Sequence, residues 1–261
     1  MKEISPVGQF FKKDTQKNII NPCSYNSIHQ HWLLAIELVK ASYLIHLKDK
    51  THSIYLRGSV PRGLSVDNIS DLDSFALIHQ ANFGWDKATW YDQLNVSIKK
   101  KYPFIAETEV MLSSYHENLF KVNPKLSMIL KTQSLCIYGE DIIPSIPNFK
   151  PDRQMMLNYF WLEKDLTVFY RKSTIKKEDC RKIMKLILRT GFELTMERNH
   201  EFTTDLYLCY KTFCQYYPSK NKEMKQVLLL YLNPSHEAFF LKNFLNNFGN
   251  WMISEVRKQI G

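Results

Sequence analysis

The sequence lacks most of the features that would mark a stapled, metal-knotted or membrane-bound chain. It has no CxxC pair and no HExxH, which argues against a structural or protease-type zinc site. Its five cysteines, Cys23, Cys136, Cys180, Cys209 and Cys214, are odd in number and follow no framework spacing. A disulfide-built fold is therefore not expected. No apolar run approaches the roughly 20 residues that cross a bilayer. The first 18 residues are mostly polar and lack the apolar stretch of a signal peptide. The expectation is a soluble protein of the reducing cytoplasm with no membrane partner. With only 8 glycines and 10 prolines among 261 residues, there is little room for low-complexity linkers, and no internal repeat is visible.

What is present is a globular composition. Hydrophobic residues make up 44% and charged residues 23%, enough to bury a core in one large domain or two modest ones. The net charge of +9 favours anionic partners: nucleotides, RNA or acidic proteins. The same charge is equally what solubility alone would produce.

Residues 26–46 place Trp32, Leu33, Ile36, Val39 and Tyr43 at helical spacing. Residues 53–56 form a short β-rich stretch that ends at Gly58. Residues 71–79 alternate, with apolar side chains on both faces of the second half, which predicts a central strand. Residues 87–101 read as helix, and residues 104–112 as a strand carrying Glu107 and Glu109 on one face. Pro144, Pro147 and Pro151 mark the best linker. Beyond it the pattern is helical: 153–171, 177–197, 204–217, 222–232 and 236–260. The predicted fold class is α+β. A small mixed-sheet domain (1–147) precedes a C-terminal helical bundle (148–261), which is expected to form the other wall of a cleft.

The stretch from Tyr55 to Ile78 carries the chemistry. A strand ending in Gly58-Ser59 lets phosphate oxygens approach bare backbone N–H groups, and Ser59 adds a hydroxyl. Asp71 and Asp73, two apart on a strand, point the same way. Two neighbouring carboxylates repel unless a cation sits between them, and carboxylate oxygens suit hard divalent ions. The alternative is that either aspartate caps a turn after Asn68-Ile69-Ser70. Two such ions can activate a hydroxyl and neutralise a departing pyrophosphate.

Gly-Ser, about a dozen residues, then Asp-hydrophobic-Asp-x-hydrophobic resembles the signature of the DNA polymerase β-like nucleotidyltransferase superfamily. The layout is most similar to its bacterial branch of aminoglycoside adenylyltransferases. Cys136-Ile-Tyr-Gly-Glu-Asp-Ile142 also resembles the segment that closes the catalytic domain there. The resemblance covers residues 26–150; the helical half matches in architecture more than in motif. It implies transfer of a nucleoside monophosphate, AMP from ATP before other nucleotides, to the hydroxyl of a small acceptor such as an antibiotic. It implies Mg²⁺, two ions, held by Asp71 and Asp73, with a third carboxylate on a later strand as metal ligand or general base. Glu109 and Glu107 both fit that third place. Glu109 is preferred because it runs directly into Val110-Met111-Leu112. The competing acceptors are tRNA or a protein side chain. The competing class is a silent nucleotide- or RNA-binding, antitoxin-like module.

Gly58, Ser59, Arg62 and Ser70 are the nucleotide-binding candidates in this half. Arg57 either pairs with phosphate or is a solvated strand residue. In the helical half Arg181, Lys185 and Arg189 share one helix face. Lys185 and Arg189, mid-helix, are the preferred triphosphate ligands; an ordinary solvated face is the alternative. Glu193, Glu197 and Asp205 either hold a cationic acceptor or are helix-surface charge. The Thr203–Asp205 stretch reads as a helix cap. Trp85, Trp90, Tyr216 and Tyr217 could stack a base, though large aromatics more often fill cores.

Overall fold

The computed structural model describes residues 8–80 and 86–260, with the backbone alone for Phe160. Trp85 lies outside the described residues. The chain divides into two compact units, residues 20–149 and residues 8–19 with 150–261.

In the first unit, α1 (Leu33–Leu47) leads into β1 (Thr51–Arg57), then β2 (Leu72–Ile78) and the short β3 (Asp86–Lys87). These are followed by α2 (Tyr91–Lys101), β4 (Thr108–Ser114), the single-turn α3 (Leu119–Val122), α4 (Pro124–Gln133) and β5 (Ser134–Gly139). The five strands form one mixed sheet in the order β3-β4-β2-β1-β5. β2 runs antiparallel to β1 and parallel to β4, and β5 and β3 pair antiparallel at the two edges. β2 is central, as its two-sided apolar pattern predicted.

One face of the sheet carries Ile54, Leu56, Leu72, Ala76, Ile78, Val110 and Leu112. It packs on Ile36, Val39 and Tyr43 of α1 and Ile98 of α2. The other face carries Tyr55 and Phe75, fully buried and stacked at 5.3 Å between centroids. The Tyr55 hydroxyl accepts from Ile142 N (3.1 Å) and reaches Glu140 O (3.3 Å), tying β1 to the segment that leaves β5. The helix expected from residue 87 begins at Tyr91 instead, because Lys87 pairs with Met111 of β4. The helix expected from residue 26 begins as two short 3-10 turns and becomes α-helical at Leu33.

The second unit is helical: α5 (Asn158–Arg171), α6 (Lys177–Asn199), α7 (Leu206–Tyr216), α8 (Asn221–Leu232) and α9 (Ala238–Ile260). α6 is the hub and packs against each of the other four. Gly191 lets them close in. A Cβ there would overlap Met224 of α8 and meet Phe213 of α7 at 3.0 Å and Met252 of α9 at 3.3 Å.

Residues 8–19, which the sequence reading placed in the catalytic domain, pack on this unit. Phe11 N donates to Phe202 O (2.8 Å), and their rings lie 5.1 Å apart. Lys13 pairs with Glu201 at 2.8 Å. The pairing is long-range in sequence, so no local pattern announces it. Among the described residues, no helix is long and apolar enough to cross a membrane, and all five cysteines are free thiols.

Candidate active site

The site is built where β1 ends and β2 and β4 begin. The register places Arg57 opposite Asp73 across the antiparallel pair, and Asp73 opposite Glu109 across the parallel pair. Strand alternation puts all three side chains on one face. They meet: an Arg57 Nη donates to Glu109 Oε2 and lies 3.8 Å from Asp73 Oδ1. Burial works against the Arg57 charge, but the carboxylates of Asp73 and Glu109 outweigh it and hold its pKa above the ordinary value.

Directly after Arg57 the chain turns at Gly58, with φ at +83°. A side chain is excluded there twice over. The backbone is in the left-handed region, and a Cβ would overlap Asp73 Oδ2. The carboxylate of Asp73 therefore lies against the bare Cα of the turn. Ser59 follows, then a 3-10 turn over Val60–Arg62 that ends at Gly63, also left-handed at φ +68°. Arg62 folds back so that its Nε donates to Gly58 O (2.9 Å), and Leu64 N donates to Ser59 O (3.0 Å). The turn is thus fixed by its own bonds before any ligand is considered.

The approach to β2 is equally determined. Ser70 Oγ accepts from Val66 N (2.8 Å), and Ser70 O accepts from Ala106 N (3.1 Å). The hydroxyl counted as a nucleotide ligand is engaged in closing its own loop. Behind the sheet, Ser74 Oγ donates to Glu109 O (2.8 Å), and the Tyr43 hydroxyl lies 3.1 Å from Ser74 Oγ and 3.3 Å from Met111 O. These buried polar bonds pin the β4 backbone at Glu109.

The two glutamates part company here. Glu109 joins Arg57 and Asp73, whereas Glu107 accepts from the Tyr91 hydroxyl of α2. Asp71 precedes β2 and is exposed. The sequence reading grouped Asp71, Asp73 and Glu109 as metal ligands. The structure gathers the latter two around Arg57, and among the described residues no three His, Cys, Asp or Glu side chains form a metal-binding cluster. The oxygen chemistry still suits a divalent ion. A single guanidinium contacts both Asp73 and Glu109, so one cation can be shared between them.

The remaining candidates, Trp90 apart, lie in the helical unit. Lys185 is on the exposed face of α6, and Arg189 is half-buried on the same helix. Glu193 is not surface charge. It is 5% exposed and receives Leu157 N (3.2 Å), Asn158 N (3.0 Å) and Asn158 Nδ2 (2.7 Å), so it caps the start of α5. Glu197 pairs with Arg153, and Asp205 accepts from Gln9 N (2.8 Å). The Trp90 ring stacks on His46 at 4.5 Å, and Arg198 lies over the rings of Tyr216 and Tyr217.

Two things were missed in the sequence. Arg57 belongs with the carboxylates, a placement that follows only once the β1–β2 register is known. The Tyr91–Glu107 bond was the other, and no spacing signal connects those residues.

No family model matches the chain, and no curated protein matches it. Among solved structures it is similar to the spectinomycin adenyltransferase AAD(9) from Enterococcus faecialis, crystallised with ATP and spectinomycin. The TM-score is 0.49 and the identity 18%, over 86% of this chain and 99% of that one. At that level the likeness assigns no role to any residue here.

Proposed function

We propose that residues 20–149 catalyse nucleotidyl transfer: a nucleoside monophosphate, AMP from ATP in the first instance, passes to a hydroxyl of a small-molecule acceptor. The observation that carries this reading is the row Arg57–Asp73–Glu109 set against the side-chain-free turn at Gly58. It supports the resemblance seen in the sequence, because it puts acidic oxygens beside a turn of bare backbone.

In this reading the Gly58-Ser59 turn receives the triphosphate, with backbone N–H groups and the Ser59 hydroxyl as donors. Arg62, bonded to Gly58 O, holds the turn and adds positive charge beside it. The acceptor oxygen attacks the α-phosphorus, the bond to the β-phosphate oxygen breaks, and pyrophosphate leaves with that electron pair. Glu109 takes the acceptor's proton. Glu107 is assigned no chemical role, since its carboxylate is held by Tyr91. Asp73 and Glu109 would hold a divalent ion, with Asp71 at the strand entrance. Mg²⁺ there would neutralise phosphate charge and acidify the acceptor hydroxyl. The proposal rests on this unit alone and does not draw on Lys185 or Arg189.

The test is label transfer. The protein is incubated with Mg²⁺, α-labelled ATP and, in parallel, a cell extract and a panel of hydroxylated antibiotics. The label is then sorted among small molecules, RNA and protein. Label in small molecules, lost in Asp73→Asn, supports the reading. Label in RNA or protein corrects the acceptor. No label with any nucleotide from a folded protein that still binds nucleotide refutes transfer and favours a binding module.

A further inference from the structure

Arg57 occupies the place where a cation between Asp73 and Glu109 would sit. Its guanidinium contacts both carboxylates, and its side chain is only 25% exposed. Adjacent strands lie about 4.8 Å apart, so two carboxylates in one register row repel unless something positive lies among them. The chain supplies that charge itself, on a rigid strand end one residue before the Gly58 turn.

Resting on the function proposed above, we infer that Arg57 is a positioning residue that holds Asp73 and Glu109 together in the free protein and weakens their affinity for a divalent ion until nucleotide arrives. The physical basis is competition. A guanidinium binds carboxylate and phosphate with the same fork geometry. A triphosphate at the adjacent turn offers Arg57 new acceptors and releases the carboxylates. By linkage, whatever factor nucleotide adds to cation affinity, the cation adds to nucleotide affinity. Ion and nucleotide would then enter together, and the free protein would not sequester metal.

The experiment is Mn²⁺ titration of the full chain by calorimetry, without nucleotide, for wild type, Arg57→Gln and Arg57→Lys. Arg57→Gln is expected to bind Mn²⁺ at least tenfold tighter, because the competing charge is gone. Arg57→Lys is expected to stay within about threefold of wild type, because it keeps the charge. An ion pair that serves stability alone would lower the melting temperature of Arg57→Gln and leave Mn²⁺ affinity unchanged or weaker, which overturns the inference. If Arg57→Gln does not fold, the wild type answers: the Arg57 ¹⁵Nε resonance should shift saturably with Mg²⁺, and a resonance that never moves overturns the inference. Intact transfer with unchanged Mn²⁺ affinity defeats this inference alone. Absence of both transfer and Mn²⁺ binding in all three proteins defeats the proposed function with it.

Discussion

Gly58→Ala tests the geometry of the site more sharply than removal of a carboxylate, because it deletes no charged group. Two costs follow from the structure. A left-handed conformation at φ +83° costs an L-residue about 1–2 kcal/mol. The new methyl would also overlap Asp73 Oδ2, and relieving such overpacking costs about 1–3 kcal/mol. Together these come to roughly 3 kcal/mol, which at a few degrees per kcal/mol lowers the melting temperature by about 10 °C. The effect on transfer should be larger than on folding. Displacing Asp73 moves it out of its row with Arg57 and Glu109, and a misplacement of about 1 Å costs on the order of 100-fold in rate. Gly63→Ala is the control. Gly63 has the same backbone handedness, but its Cβ would meet Ser27 O at 2.7 Å rather than a carboxylate. Gly63→Ala should lose comparable stability while keeping transfer within a few-fold in the folded fraction. Melting curves and label transfer on both variants decide the matter. If Gly58→Ala transfers at near the wild-type rate, the close approach of Asp73 to the turn has no part in the chemistry.

Glu109→Gln should reduce transfer by at least about 100-fold through loss of the base, whereas Glu107→Gln should stay within a few-fold, because its carboxylate is bonded to Tyr91; single-turnover rates separate the two, and the reverse order would reassign the base. Glu193→Ala strips the acceptor from Leu157 N and Asn158 N at the start of α5 and should destabilise the helical unit by about 2–3 kcal/mol in a denaturant titration; a change below about 0.5 kcal/mol would deny it the capping role. Asp179 tests a charge effect. Burial works to raise its pKa, but bonds from Lys172 and from Lys176 N more than offset this, so its carboxyl is held below the usual range. A lowered folded-state pKa contributes stability above the ordinary carboxylate pKa and loses it as pH falls through the folded value. Asp179→Asn should therefore cost about 1 kcal/mol at pH 7, and melts repeated at successively lower acid pH should show that difference shrink.

How far the sequence alone leads differs between the two units for a physical reason. β2 was legible because burial on both faces leaves a dense apolar run, and α6 was legible because 23 residues of helical periodicity survive any local exception. The segment from Glu117 to Gln133 was not. Its helices are short, and α4 starts at Pro124 with Asn123 Oδ1 accepting from Leu126 N, a cap that reads equally as a turn. β5 ends in the resembling Tyr138-Gly139 segment but serves only as an edge strand, and edge strands carry weak alternation. Nothing near residue 10 foretold that Phe11 would pair with Phe202, since that contact depends on tertiary packing rather than on local preference.

At the candidate site the limit is register. Gly58, Ser59, Asp71 and Asp73 were visible as candidates because the pattern that singles them out lies in one short stretch of sequence. The partnership of Arg57 with Asp73 and Glu109 was not, because it depends on how residues 58–71 return the chain. A one-residue slip of β1 against β2 would send Arg57 to the opposite face. The register is instead held by several interactions outside the row: Tyr55 bonded beyond β5, Ser74 bonded to Glu109 O, Gly58 pressed on Asp73 and Ser70 closing its loop. The same argument decides between the two glutamates. Glu107 lies just before β4, and the sequence pattern alone puts both on one face, so alternation cannot rank them. The parallel register does, by placing Glu109 and not Glu107 opposite Asp73. The preference for Glu109 on sequence grounds, that it runs straight into an apolar stretch, is the same fact seen from the other side: Val110 is buried in the core on the α1 face, which turns Glu109 to the face that carries Asp73.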